Sequence, residues 1–236
     1  MHLRVDPKIF DRYPDLLLGA LALSDIDNSG QHDELGGLLR EAQADVRQSL
    51  AGVTLSEHPR IASWREAYRA FGVKAKQYPS SIENLLKRVT KGEELRSINP
   101  LVDLYNVVSM RHLIPVGGED VDALQGDLRL RIAGEGEPAV RLLGDNEARA
   151  PKPGEVMYAD DAGAVCRRFN WKEADRSKLT VNTKRAVLVV EALPPVTEAV
   201  LRSVLTELAE LARRFCGAAA TPHVVSPAAP AAPLTG

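Results

Sequence analysis

Apolar residues recur with different periods in different parts of this chain. In HPRIASWREAYRAFG (58–72), Ile61, Trp64, Tyr68 and Phe71 fall at three- and four-residue steps ahead of Gly72. That spacing predicts an amphipathic helix whose aromatics lie in the core. DELGGLLREAQADVRQSL (33–50) reads as a helix weakened at its start by Gly36 and Gly37. SSIENLLKRVTKG (80–92) opens with Ser80 and Glu83 in capping-box spacing. NPLVDLYNVVSMRHLI (99–114) offers Asn99 as N-cap and Pro100 at the first helical position. A last helix, 196–215, follows Pro194–Pro195 and stops at Gly217.

Between these helices the pattern shortens. YPDLLLGALALSDIDNSG (13–30) predicts a buried strand closed by a turn. GDLRLRIA (126–133) alternates, and 155–160, 164–171, 177–182 and 185–192 read as further strands. Helices and strands in separate blocks predict an α+β fold. One domain is expected over 1–216, followed by an Ala/Pro-rich tail, 217–236, expected to be disordered.

Polar residues inside apolar elements are the candidates for function. Asp103 and Asn106 lie one turn apart on the apolar helix 99–114, and each either ties neighbouring loops together or faces a pocket. AVCRRFNWKE (164–173) is unusual for a core strand. Strand alternation would put Cys166, Arg168 and Asn170 on one face and Arg167, Phe169 and Trp171 on the other. Arg168 then suits an anionic ligand, or forms a structural ion pair with Glu191 or Asp103. Asn170 suits a base edge or a ribose hydroxyl.

Charge is unevenly placed. Residues 58–96 hold nine Lys/Arg against four acids, and 166–185 hold seven against two. The span 119–161 holds eleven acids against five bases. The two basic segments form either one face for a phosphate backbone or ordinary solvated surfaces. Cys166 and Cys216 have no metal-ligand spacing, so no metal site and reduced thiols are expected. No nucleotide or cofactor fingerprint, hydrolase elbow, signal peptide or membrane-length apolar run occurs, so no cofactor, no membrane and a cytoplasmic address are expected.

NPLVDLYNVVSMRHLIP resembles the N-x-x-V-D-x-x-N helix and following proline of the tRNA-binding and editing (B3/4) module in the phenylalanyl-tRNA synthetase beta chain. DALQGDLRLRIAGEGE, RLLGD, GEVMYADDAGAVCRRFNW and VLVVEA follow in the order of that module's later segments. The likeness runs through the elements from about residue 10 to 215 and is densest over 99–191. With no other part of the synthetase chain present, the sequence looks like a free-standing relative of the module.

The resemblance implies β-sheets packed with helices around a central pocket, and the acceptor end of tRNA as partner. It implies a trans-acting hydrolase that deacylates a mischarged aminoacyl-tRNA. A non-catalytic RNA-binding module, or a pocket for a small nucleotide or amino acid derivative, are the alternatives. Asn106 matches the helix asparagine, Glu191 the pocket glutamate, and Asp103 an aspartate taken as structural. Arg168 and Asn170 fall where the module has its small-residue pocket loop, with Trp171 as pocket lining. The module's histidine two residues after the proline is absent here, where Pro115 leads into Val116, Gly117 and Gly118. Rejection of tyrosine is therefore not carried over.

Overall fold

The structure, a computed structural model, describes residues 1–234. Its elements run β1 (His2–Val5), α1 (Pro7–Arg12), β2 (Leu17–Ser24), α2 (Asp33–Ser49), α3 (Pro59–Ala70), α4 (Ser81–Thr90) and α5 (Pro100–His112). Then come β3 (Val116–Asp120), β4 (Leu128–Ile132), β5 (Val140–Arg141), β6 (Ala148–Arg149), β7 (Val156–Asp160), β8 (Gly163–Arg167) and β9 (Lys172–Glu173). The chain closes with β10 (Ala186–Ala192), α6 (Glu198–Cys216), β11 (Ala219–Val225) and β12 (Ala231–Pro233). The fold is α+β. No described helix is long and apolar enough to cross a membrane.

Two sheets organise it. The larger has the order β12-β1-β4-β7-β8-β9, the smaller β11-β2-β10-β3, and β5 and β6 form a separate hairpin. β10 is central in the smaller sheet, antiparallel to both β2 and β3. It is buried along its whole length, as expected of an apolar run packed on both faces. Leu201 and Leu205 of α6 lie against Gly19 of β2 and cover one face of this sheet. The other face looks toward the larger sheet.

The helix signals in the sequence translate directly. The Asn99 side chain accepts from the Val102 N–H, with Pro100 at the first turn of α5. Asn99 also donates to the Leu179 carbonyl at 3.2 Å, and Asn28 donates to Asn99 Oδ1 at 3.0 Å. One buried amide pair thus caps α5 and fixes the loop before β10. Ser80 caps α4, but Glu83 does not complete the box. It turns instead to Arg65 and Lys87, each 2.6 Å away.

Two expectations fail. Residues 177–182 form no strand beyond a short 3-10 turn at Asp175–Ser177. The tail expected to be disordered supplies β11, paired to β2, and β12, paired to β1. These are the outer strands of the two sheets, where Pro222 and Pro233 cost little because a proline lacks only the donor an edge strand can spare. Thr235 and Gly236, the end of that tail, lie outside the described residues.

Val225 and Leu234 of this segment are buried. Truncation after Gly217 should therefore cost about 3–6 kcal/mol in chemical denaturation, the burial of two such side chains. A loss within about 0.5 kcal/mol, typical of removing surface residues, would mean the segment is not docked.

Candidate functional site

A cavity of about 400 Å³ lies between the two sheets and is closed by α4 and α5. That volume is in the range of small-molecule sites. Strand register decides which side chains reach it. On β10, alternation turns Val189 and Glu191 inward, and Gly117 and Glu119 of β3 pair across from Val189 and Val187. On the facing sheet, Tyr158, Cys166 and Glu173 are successive cross-strand partners, so the three form a row along the opposite wall. Tyr105, Asn106 and Ser109 of α5 and Ser81 of α4 complete it.

Glu191 is held from both sheets. Tyr158 donates its hydroxyl to Glu191 Oε1 at 2.7 Å, and the Asn170 amide donates to Oε2. Asn170 is oriented in turn, because its Oδ1 accepts from Tyr68 at 3.0 Å and from the Ser81 N–H at 3.2 Å. Burial pushes the Glu191 carboxyl up to about 7, against the two hydrogen bonds that favour its charged form.

The second carboxylate group was not foreseen. Glu119 is 6% exposed, and its Oε2 has no hydrogen-bond partner among the described residues. Glu173 faces the same space, and a Cβ on Gly117 would sit 2.9 Å from Glu173 Oε1. Gly117, with no side chain, thus leaves room for a carboxylate. Burial raises both groups, Glu173 to about 7, and the charge of Glu173 raises Glu119 further. The thiol of Cys166 is pushed well up by burial and by these acids, which leaves it a neutral wall and not a nucleophile.

Asn106, Asn170, Trp171 and Glu191 therefore line one cavity. Arg168 does not join them. The strand ends at Arg167, and Arg168 and Phe169 both take positive φ, 51° and 63°, so the alternation assumed for 164–171 breaks there. Phe169 turns into the core, edge-on to Trp64 and Tyr13. The Arg168 guanidinium stacks on Tyr78 at 3.9 Å and on Trp171 at 4.5 Å, outside the cavity. Its carboxylate neighbour is Glu155 at 3.7 Å, and neither Glu191 nor Asp103. Arg167 binds the same Glu155 at both oxygens, 2.8 and 2.9 Å.

Asp103 also stays out of the cavity. It accepts from the Ser97 hydroxyl and from the Ile98 N–H at 2.9 Å, and so secures the entry to α5. No described histidine lines the cavity, and His112 is 2.6 Å from Glu207 on α6. No described cluster of His, Cys, Asp or Glu could hold a metal ion.

Comparison with known proteins shows the family of the chain. The model of the B3/4 domain family matches residues 63–217, and the chain belongs to that family. The phenylalanine–tRNA ligase beta subunit of Mycoplasma pneumoniae is 34% identical over 80 residues, covering 32% of this chain and 10% of its own. The corresponding subunit of Leifsonia xyli is 37% identical over 71 residues, covering 30% and 8%. The chain thus spans about a tenth of these relatives. An N-terminal fragment of the phenylalanyl-tRNA synthetase beta subunit from Pyrococcus horikoshii superposes over 92% of this chain and 49% of its own, with 11% identity and a TM-score of 0.48.

The raised carboxyls make stability depend on pH. Between the unfolded value near 4.5 and the folded value near 7, the native protein keeps protons that the unfolded chain has released. Stability therefore falls as pH rises through that window. Glu173→Gln should reduce the drop in Tm between pH 5 and pH 8 by roughly 3 °C or more, the effect of about 1 kcal/mol in a chain of this size. An unaltered drop would place Glu173 in free solvent.

Proposed function

We propose that this protein binds the acceptor end of tRNA and hydrolyses the ester of a mischarged aminoacyl-tRNA. The observation that carries this reading is the meeting of two opposite environments at Trp171. On one side lies the acidic cavity. On the other, Arg168 stacks on Trp171 and Tyr78 beside exposed Lys74 and Lys152. An adjoining cleft adds Arg65, Arg69 and Lys76. A polyanion bearing a cationic terminus matches that arrangement, and an aminoacyl-tRNA is such a molecule. The names of the relatives support the same partner, since phenylalanine–tRNA ligases act on tRNA.

The chemistry needs no enzyme nucleophile. An aminoacyl ester is already activated, and holding a water beside its carbonyl supplies much of the rate. The cavity provides Glu191, whose carboxyl titrates near 7 and is aimed by Tyr158 and Asn170. In this reading Glu191 takes a proton from the water as the water oxygen bonds to the ester carbonyl carbon. The Asn106 amide supplies a donor to the developing oxyanion. Collapse breaks the bond to the ribose oxygen, which leaves with the proton held by Glu191 and releases a free amino acid and an intact tRNA. Soluble expression in a cytoplasmic compartment, where charged tRNA is found, is the matching address.

A panel of aminoacyl-tRNAs incubated with the purified protein should include one whose ester is lost faster than its spontaneous rate. Glu191→Ala should slow that loss at least tenfold, and an unchanged rate would remove Glu191 from the chemistry. If tRNA binds and every ester survives, the protein is a binding module without hydrolysis. Binding itself should weaken with salt, and Lys74→Ala should reduce the log–log salt slope by about 1. A slope unaffected by this change would mean that the basic cleft is not the phosphate track.

A further inference from the structure

Among the described residues, every buried acid except Glu119 has a hydrogen-bond or ion-pair partner, although Glu83 Oε2, like Glu119 Oε2, is itself unpartnered. Glu83 has Arg65 and Lys87, Glu155 has Arg167, and Asp160 has Arg176 at 2.5 and 2.9 Å. Asp103 has a hydroxyl and an amide, and Glu191 has a phenol and an amide. Glu119, on the smaller sheet, and Glu173, on the larger, lie close together in the cavity with no Lys or Arg in ion-pair reach among the described residues. The charged groups around them are already engaged. Arg176, which faces Glu119, is bound to Asp160, and Lys172 is held 2.6 Å from Asp145. Ser177 Oγ and Glu119 Oε2 both lack a hydrogen bond of good geometry among the described residues, although the Ser177 hydroxyl lies beside Glu119 and favours its charged form.

Two neighbouring carboxyls in a partly dry site cannot both ionise cheaply, and an open lone pair on one of them is a cost left in the empty protein. A ligand that brings a positive charge and several donors removes both penalties. A primary ammonium has three donors, is small, and needs acceptors from more than one direction. Glu191, Tyr105 and Asn106, elsewhere in the lining, are polar as well, so the ligand's remaining atoms meet hydrogen-bonding groups. Nothing in the cavity interior is a free cation, so a phosphate has no partner there. Its one lysine and one arginine are tied outward, Lys172 to Asp145 and Arg88 to Glu93.

We propose that Glu119 and Glu173 form a subsite for a primary ammonium group. This deepens the tRNA reading and rests on it for one source of that group, the α-ammonium of the aminoacyl ester. A free amino compound is the other source. Gly117 is part of the device, because any side chain there would displace the Glu173 carboxylate.

Calorimetry with the full chain separates the outcomes. The probes are a stable amide analogue, 3′-aminoacylamino-3′-deoxyadenosine, its N-acetylated form, and a panel of amino-acid amides. The free amine should bind at least tenfold more tightly than the N-acetyl form. Binding near pH 6.5, measured in buffers of different ionisation enthalpy, should release roughly one proton as the pair becomes fully charged. Glu119→Gln should abolish most of the preference and the proton release. That variant removes a buried like charge, so its Tm should equal or exceed the parent's, which rules out misfolding as the cause. Equal binding of amine and N-acetyl probes, or no binding of any amine, overturns the subsite. If amino-acid amides bind with the preference and proton release while tRNA does not bind, the subsite stands and the tRNA reading fails.

Discussion

The carboxylate of Glu191 is where the two sheets and the helical layer are joined. It belongs to the smaller sheet, its phenol donor Tyr158 to the larger, and its amide donor Asn170 to the turn after β8. Asn170 is itself fixed by Tyr68 on α3 and by the first residue of α4. Removing any member leaves a polar group buried without a partner, so the network is kept whole or not at all. It also keeps the sheets apart. Apolar faces alone would close together, whereas this bridge crosses the gap at one end and leaves a cavity beside it.

The rest of the site follows from that gap. Many of the residues that face it are polar or small, among them three glutamates, three asparagines, two tyrosines and a pair of glycines, set between apolar side chains such as Leu85, Leu128, Leu143 and Val189. Gly117 shows this in detail: it carries no side chain, and the carboxylate of Glu173 occupies the space beside it. The cavity consequently differs in charge from what a cationic Arg168 on its wall would have produced.

Much of this was legible in the sequence. The caps Asn99 and Ser80, the stripe Ile61–Trp64–Tyr68 and the buried run of β10 could be read from residue type and period alone. Asn106 was marked by polarity within an apolar helix and Glu191 by the family resemblance, and both line the cavity. Arg168 was misplaced because alternation holds only while the backbone stays extended. Two successive non-glycine residues at positive φ have no sequence signature, and here they are imposed by the burial of Phe169. The Glu119–Glu173 pair was invisible for another reason. Each lies in a charged stretch on a different sheet, and only the packing of the two sheets brings them together in the cavity. The tail was misread because Ala/Pro composition signals disorder, while an outer strand tolerates proline.

A crystal structure of the protein with a stable aminoacyl-adenosine amide tests the central claim most directly. The account places the adenosine near Trp171, the carbonyl between Asn106 and Glu191, and the ammonium between Glu119 and Glu173. A cavity left empty, with the ligand on the basic cleft alone, would contradict it.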